Sequence, residues 1–192
     1  MLRHAVMAIL TAALLAGCGV PQTGGATRGT VGVTRYSEAD EAKVQFRMLD
    51  SVNALRAAAG AAPLRLSGPL NAAAKTHSID MARQNRPWHF GSDGSSPLAR
   101  VQRAGYRGGL AGEAISETYE NDVQTLSAWM QEPGTKAVIL DRTAREMGLG
   151  FYQQSDGKLW WTLVMGYPAG AGAVNVPTPG VPAVAGGGRP AI

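Results

Sequence analysis

The sequence holds a single cysteine in 192 residues, so no disulfide can form within the chain. It holds no run of Lys or Arg, and a net charge of +4 is mild. Both facts argue against a nucleic-acid footprint. Charged residues make up only 17%, against 45% apolar, which excludes a highly charged disordered polymer and suits one or at most two globular domains. Glycine (25) and proline (11) are plentiful, but they are unevenly placed. Their distribution divides the chain.

The first residues, Met1 to His4, carry positive charge, and Ala5 to Gly17 is almost wholly apolar. That run is shorter than the about 20 residues a bilayer span needs. A basic start, a short apolar run and small residues read as a secretory signal over residues 1–17. Its end, Leu15-Ala16-Gly17-Cys18, resembles a bacterial lipobox, which implies cleavage before Cys18 and lipidation of that residue. More than one acyl chain makes a stable anchor, whereas a single chain is marginal. The expected location is the cell envelope, facing the periplasm or exterior, with the membrane as partner. By the same resemblance, Gly19 rather than Asp after the Cys would favour the outer membrane in a Gram-negative cell. Residues 18–35 read as the lipidated Cys and a flexible tether with a reach of roughly 20–25 Å. Residues 169–192 read as a Pro/Gly/Ala-rich disordered tail without aromatics. The domain between them spans residues 36–168.

Within the domain, Ser37 to Ala59 reads as a helix, with Ser37 as N-cap and Asp40 in the capping-box position. Val44, Met48, Val52, Leu55 and Ala59 share one face. A short extended piece, Pro63 to Leu66, precedes a helix over Gly68 to Gln84, whose face carries Leu70, Ala74, His77 and Met81. Pro87 to Gly94 is a turn-rich loop. Pro97 opens a short helix, as first-turn prolines do. Gly112 to Tyr119 reads as a strand. Asn121 caps a third helix, with Gln124 completing the box, and Pro133-Gly134 stops it. Glu146 to Gln153 and Lys158 to Tyr167 read as strands joined at Ser155-Asp156-Gly157. This order predicts an α+β fold with helices packed on an antiparallel sheet.

Five segments, taken in order, are similar to the bacterial form of the CAP superfamily, also called SCP/PR-1-like. They are LDSVNALRAAAGAAPLRLSGPLNAAAKTHSIDMA, HFGSDGSSPLARVQRAGY, GEAISE, AWMQEPGTKAVILD and REMGLGFY, which together run from Leu49 into the final strands. The resemblance implies a three-layer α–β–α sandwich with a central antiparallel sheet. It also implies a cleft that joins His89 to Glu113. Two positions depart from the family pattern. Thr135 stands where a second His follows Pro-Gly, and Ala114 stands where an Asn follows the motif Glu.

Glu132, three residues after Trp129, is the candidate for a second acid in the cleft, and Glu146 is its rival. A carboxylate beside an imidazole favours imidazolium. Two readings of His89 with Glu113 stand open: cleft chemistry, or a loop pinned to the sheet. One imidazole with carboxylates is a poor set for zinc, which wants about three protein ligands and an open position. No cofactor is expected, and a divalent cation could be held only loosely. His77, on an apolar helix face, reads as a core histidine. Ser92, Ser95 and Ser96 follow His89, but no nucleophile elbow accompanies them. Trp88, Trp160 and Trp161 could line a groove, although adjacent strand residues point to opposite faces and at least one belongs to the core. The functional expectation is a non-enzymatic binding module for a lipid, sterol-like or peptide ligand. A hydrolase using His89 with Glu113 and a structural envelope protein are the alternatives.

Overall fold

The computed structural model describes residues 34–170. The signal segment, Cys18, most of the tether and nearly all of the tail lie outside the described residues. A 3₁₀ turn, Glu38–Asp40, leads into α1, Glu41–Ala58. Then come β1 (Arg65–Leu66), α2 (Gly68–Gln84), α3 (Pro97–Arg103) and β2 (Gly109–Thr118). Helices α4 (Asp122–Gln131) and α5 (Pro133–Ile139) precede the hairpin of β3 (Glu146–Gln153) and β4 (Leu159–Tyr167).

The sheet order is β1-β3-β4-β2. Strand β4 pairs antiparallel with both β2 and β3. The two-residue β1 adds a parallel edge, Arg65 beside Glu146 and Leu66 beside Met147. The sheet is therefore antiparallel in its three long strands and parallel at one short edge.

Alternation along β4 sorts the two faces. Trp161, Leu163 and Met165 join the core under α1, α4 and α5, with Val44, Met48, Val52, Leu126 and Ile139. Val164 packs with Leu70, Ala74 and Val101, and Trp160 packs with Met81, on the side of α2 and α3. Helices thus cover both faces, and the three-layer α–β–α sandwich is present. A strand covered on both faces reads as a continuous apolar run, as Leu159 to Met165 nearly does. Trp160 and Trp161 are both fully buried, so neither lines a groove.

Two glycines on β3 set the spacing of the layers. A Cβ on Gly148 would stand 2.2 Å from the Leu70 carbonyl carbon, and one on Gly150 would stand 2.1 Å from the Lys75 nitrogen. The backbone of α2 rests directly on the strand at these two points.

Two sequence expectations change. The Pro133-Gly134 pair ends α4 but also opens α5. Proline fits a first helical turn, and the Glu132 carboxylate caps it by accepting from the Thr135 N–H at 2.7 Å. Strand β2 begins at Gly109, three residues before the expected start, because pairing with Tyr167 and Gly166 carries it through poor strand formers. The capping box of α4 is present, with Gln124 N–H on Asn121 Oδ1 at 3.0 Å and Asn121 N–H on Gln124 Oε1 at 3.3 Å. Arg56, on the buried face of α1, donates to the carbonyls of Ala62, Ile139, Asp141 and Ala144, and ties three segments to one helix.

Candidate functional site

Helix α2 ends at Asn85, which takes the left-handed conformation at φ 49°. The Arg86 N–H returns to the Met81 carbonyl at 3.1 Å, a helix-terminating turn that suits Asn. The chain then runs as a loop to Ser96. Its course is fixed from below by His77. That imidazole is fully buried, and its Nε2 donates to the Trp88 carbonyl at 3.0 Å. Nδ1 of His77 has no partner. Burial lowers the pKa of His77 and keeps the ring neutral, with the Arg100 charge adding to the effect and Glu113 opposing it.

The next residue, His89, places Nδ1 2.9 Å from Glu113 Oε1. Half of the His89 side chain (51%) is exposed, whereas that of Glu113 is 3% exposed. Glu113 lies mid-strand on β2, opposite Val164, on the face toward α2. Arg100, in α3, completes the group. Its Nη2 donates to both oxygens of Glu113, at 2.9 and 2.7 Å. Its Nη1 donates to the carbonyls of His89 and Ser95, at 2.7 and 3.0 Å. One guanidinium therefore holds both the carboxylate and the loop that carries the imidazole. His77 Nε2 lies 3.9 Å from the same Glu113 oxygen, so a second imidazole borders the site.

The structure brings His89 and Glu113 together. The other candidate acids have partners of their own. Glu132 is exposed, and its carboxylate caps α5 through the Thr135 N–H and hydroxyl. Thr135 also donates to the Trp129 carbonyl. Glu146 accepts from Arg65 at 2.9 Å and from the Tyr106 hydroxyl at 2.6 Å. Of the serines, Ser92 donates to Asp80, and Ser96 caps α3 by accepting from Ala99. Among the described residues no hydroxyl bonds the His89 ring. A guanidinium occupies both oxygens of Glu113, and among the described residues no group of three His, Cys, Asp or Glu side chains has the geometry to hold a metal ion.

Beside this group lies a cavity of about 560 Å³ between α2, α3 and the loop. Ala72, Ala73, Ile79 and Ala104 give it apolar wall, and His77 and Arg100 are shared with the site just described. The sequence marks His89 and Glu113 as site residues, whereas Arg100, inside the HFGSDGSSPLARVQRAGY segment, carries no such mark.

The family model of the cysteine-rich secretory proteins, CAP, matches residues 49–165, a stretch that contains every residue of this site. The chain belongs to the CAP family. An uncharacterized protein, YkwD of Bacillus subtilis, is 27% identical over 135 residues, covering 70% of this chain and 52% of YkwD. The chain thus spans about half the length of that relative. An extracellular protein of Bacillus anthracis with an SCP domain superposes with a TM-score of 0.59 at 21% identity, over 68% of this chain and 44% of that one. An outer surface protein of Borrelia burgdorferi gives 0.58 at 15% identity, over 70% of this chain and 98% of that one. These similarities bear on fold, and all three proteins are bacterial.

Proposed function

We propose that this CAP domain is a non-enzymatic binding module of the cell envelope, held at the membrane through Cys18, and that its cleft takes a lipid, sterol-like or peptide ligand at His89. One observation carries the reading. Glu113 is bonded on both oxygens by Arg100 and on one by His89, so both of its oxygens are engaged and the carboxylate is fixed in place. Such a carboxylate positions an imidazole. The neighbouring cavity, with an apolar wall and a charged rim, suits a ligand with both kinds of surface. The envelope location draws support from the lipobox-like segment and from the relatives described as extracellular and outer surface proteins.

A hydrolase is the second reading. It is favoured by the orientation of His89, whose Nδ1 faces Glu113 and leaves Nε2 for a substrate, as in a base held by an acid. A nucleophile is the missing part. The test is ligand retention. Wild type and His89→Ala are exposed to envelope lipid extracts and to peptide libraries, then weighed as intact complexes. The binding module predicts a retained ligand in the wild type and at least a tenfold loss in His89→Ala. No retained ligand from either source overturns it.

A further inference from the structure

The loop that carries His89 also carries an aromatic pair at the surface. Phe90 is 48% exposed and lies 5.6 Å, centroid to centroid, from the ring of Trp88. Arg86 lies over the other partner of that pair, with its guanidinium carbon 4.0 Å from the Trp88 ring centre. The indole N–H is fixed on Gln84 at 2.8 Å, so the ring is held at the surface by its polar edge. Leu98, at the start of α3, is also exposed.

Charge is concentrated in the same stretch. Residues 83–107 hold five arginines against one aspartate, whereas the rest of the described chain holds ten basic and thirteen acidic residues. Of the five, Arg100 is bound to Glu113 and Arg103 to Asp93. Arg83 and Arg86 have no carboxylate partner among the described residues, and Arg86 stands beside the aromatic pair.

We infer that this loop docks on an anionic lipid surface, with Trp88 and Phe90 in the interfacial layer and Arg83 and Arg86 on the head groups. Indole rings fixed at a polar–apolar boundary are favoured at membrane interfaces, and arginine beside them adds attraction to anionic lipid. Exposed Phe90 and Leu98 give the surface apolar groups that an anionic sugar or a free phosphate would leave in water. Docking would turn the loop that carries His89, which lies between Trp88 and Phe90 in sequence, toward the bilayer. The inference is independent of what the cleft itself takes.

Tryptophan emission tests it directly, because Trp129, Trp160 and Trp161 are buried and Trp88 alone among the four is partly open. The full chain carrying Cys18→Ser is mixed with vesicles of phosphatidylcholine, alone or with phosphatidylglycerol. The expected result is a blue shift and co-sedimentation with the phosphatidylglycerol vesicles, both weakened by salt. Arg83→Gln and Arg86→Gln each weaken binding roughly fivefold. Phe90→Ser weakens it as well. Trp88→Phe removes the shift but keeps sedimentation. Binding that is indifferent to Arg83, Arg86 and Phe90 overturns the inference, because it then resides elsewhere in the chain. An equal shift with soluble glycerol phosphate, or with an anionic polysaccharide, also overturns it and marks a site for soluble anions instead.

Discussion

Nη2 of Arg100 bridges the two oxygens of Glu113, at 2.9 and 2.7 Å, in a nearly water-free setting. The same side chain holds the carbonyl of His89. The ion pair and the loop position are therefore one structure, and disturbing either partner disturbs the imidazole.

Removing that guanidinium leaves a buried carboxylate without its counter-charge. Arg100→Met should cost about 3–5 kcal/mol in urea unfolding, the range for breaking a buried pair from one side. Arg100→Met with Glu113→Gln should recover part of the loss, since no uncompensated charge then remains. A single-variant loss under about 1 kcal/mol would mean that the pair is solvated and the clamp is not real.

The contact of α2 with β3 depends on two missing side chains. Gly148→Ala and Gly150→Ala each place a methyl against helix backbone, at 2.2 and 2.1 Å. Each should destabilise by about 3 kcal/mol, the upper end of ordinary overpacking, because backbone cannot move aside as a side chain can. Thermal unfolding should fall by about 2–4 °C per kcal/mol. Gly94→Ala meets no neighbouring atom but strains a positive φ of 77°, so its cost should be smaller and local.

His77 makes stability depend on pH. Burial holds its folded pKa below the ordinary value of 6.5. The unfolded chain then binds more protons in the window below 6.5, so stability rises with pH there. Its contribution is complete above about pH 6.5 and is lost as pH falls through the lowered folded value. Urea unfolding at a series of pH values should show this slope in wild type and lose it in His77→Gln. Asp80 and Asp141, whose pKa values are lowered by hydrogen bonds from Ser92 and Thr143 against the opposing effect of burial, add their slope only at more acidic pH.

Much of this architecture is legible in the sequence, and the exceptions have physical causes. The period of Leu70, Ala74, His77 and Met81 marks α2, and all four are buried. Helix α5 was hidden because Pro133 serves equally to end one helix and to begin the next. In the sequence, strand β1 reads only as an extended piece, since two residues carry no period and their parallel pairing is a tertiary fact. The contact of His89 with Glu113 follows from family resemblance and not from spacing, because 24 residues separate them. The roles of Arg56 and Arg100 are not legible in the sequence, for one reason. A buried arginine is chosen by the carbonyls and carboxylates around it, and those come from distant segments.

The lipid anchor has its own test. Wild-type chain produced in a bacterium should partition with membranes and require detergent for release, and Cys18→Ser should appear in the soluble fraction. Equal partition of the two would assign membrane attachment to something other than Cys18.

The central claim is that the His89–Glu113 cleft holds a ligand without cleaving it. The most direct measurement is a time course of mass spectra on ligand captured by the wild-type chain. The account predicts release of the ligand at unchanged mass, however long the incubation. Fragments that accumulate with time in wild type and are absent with His89→Ala would contradict it and establish a hydrolase.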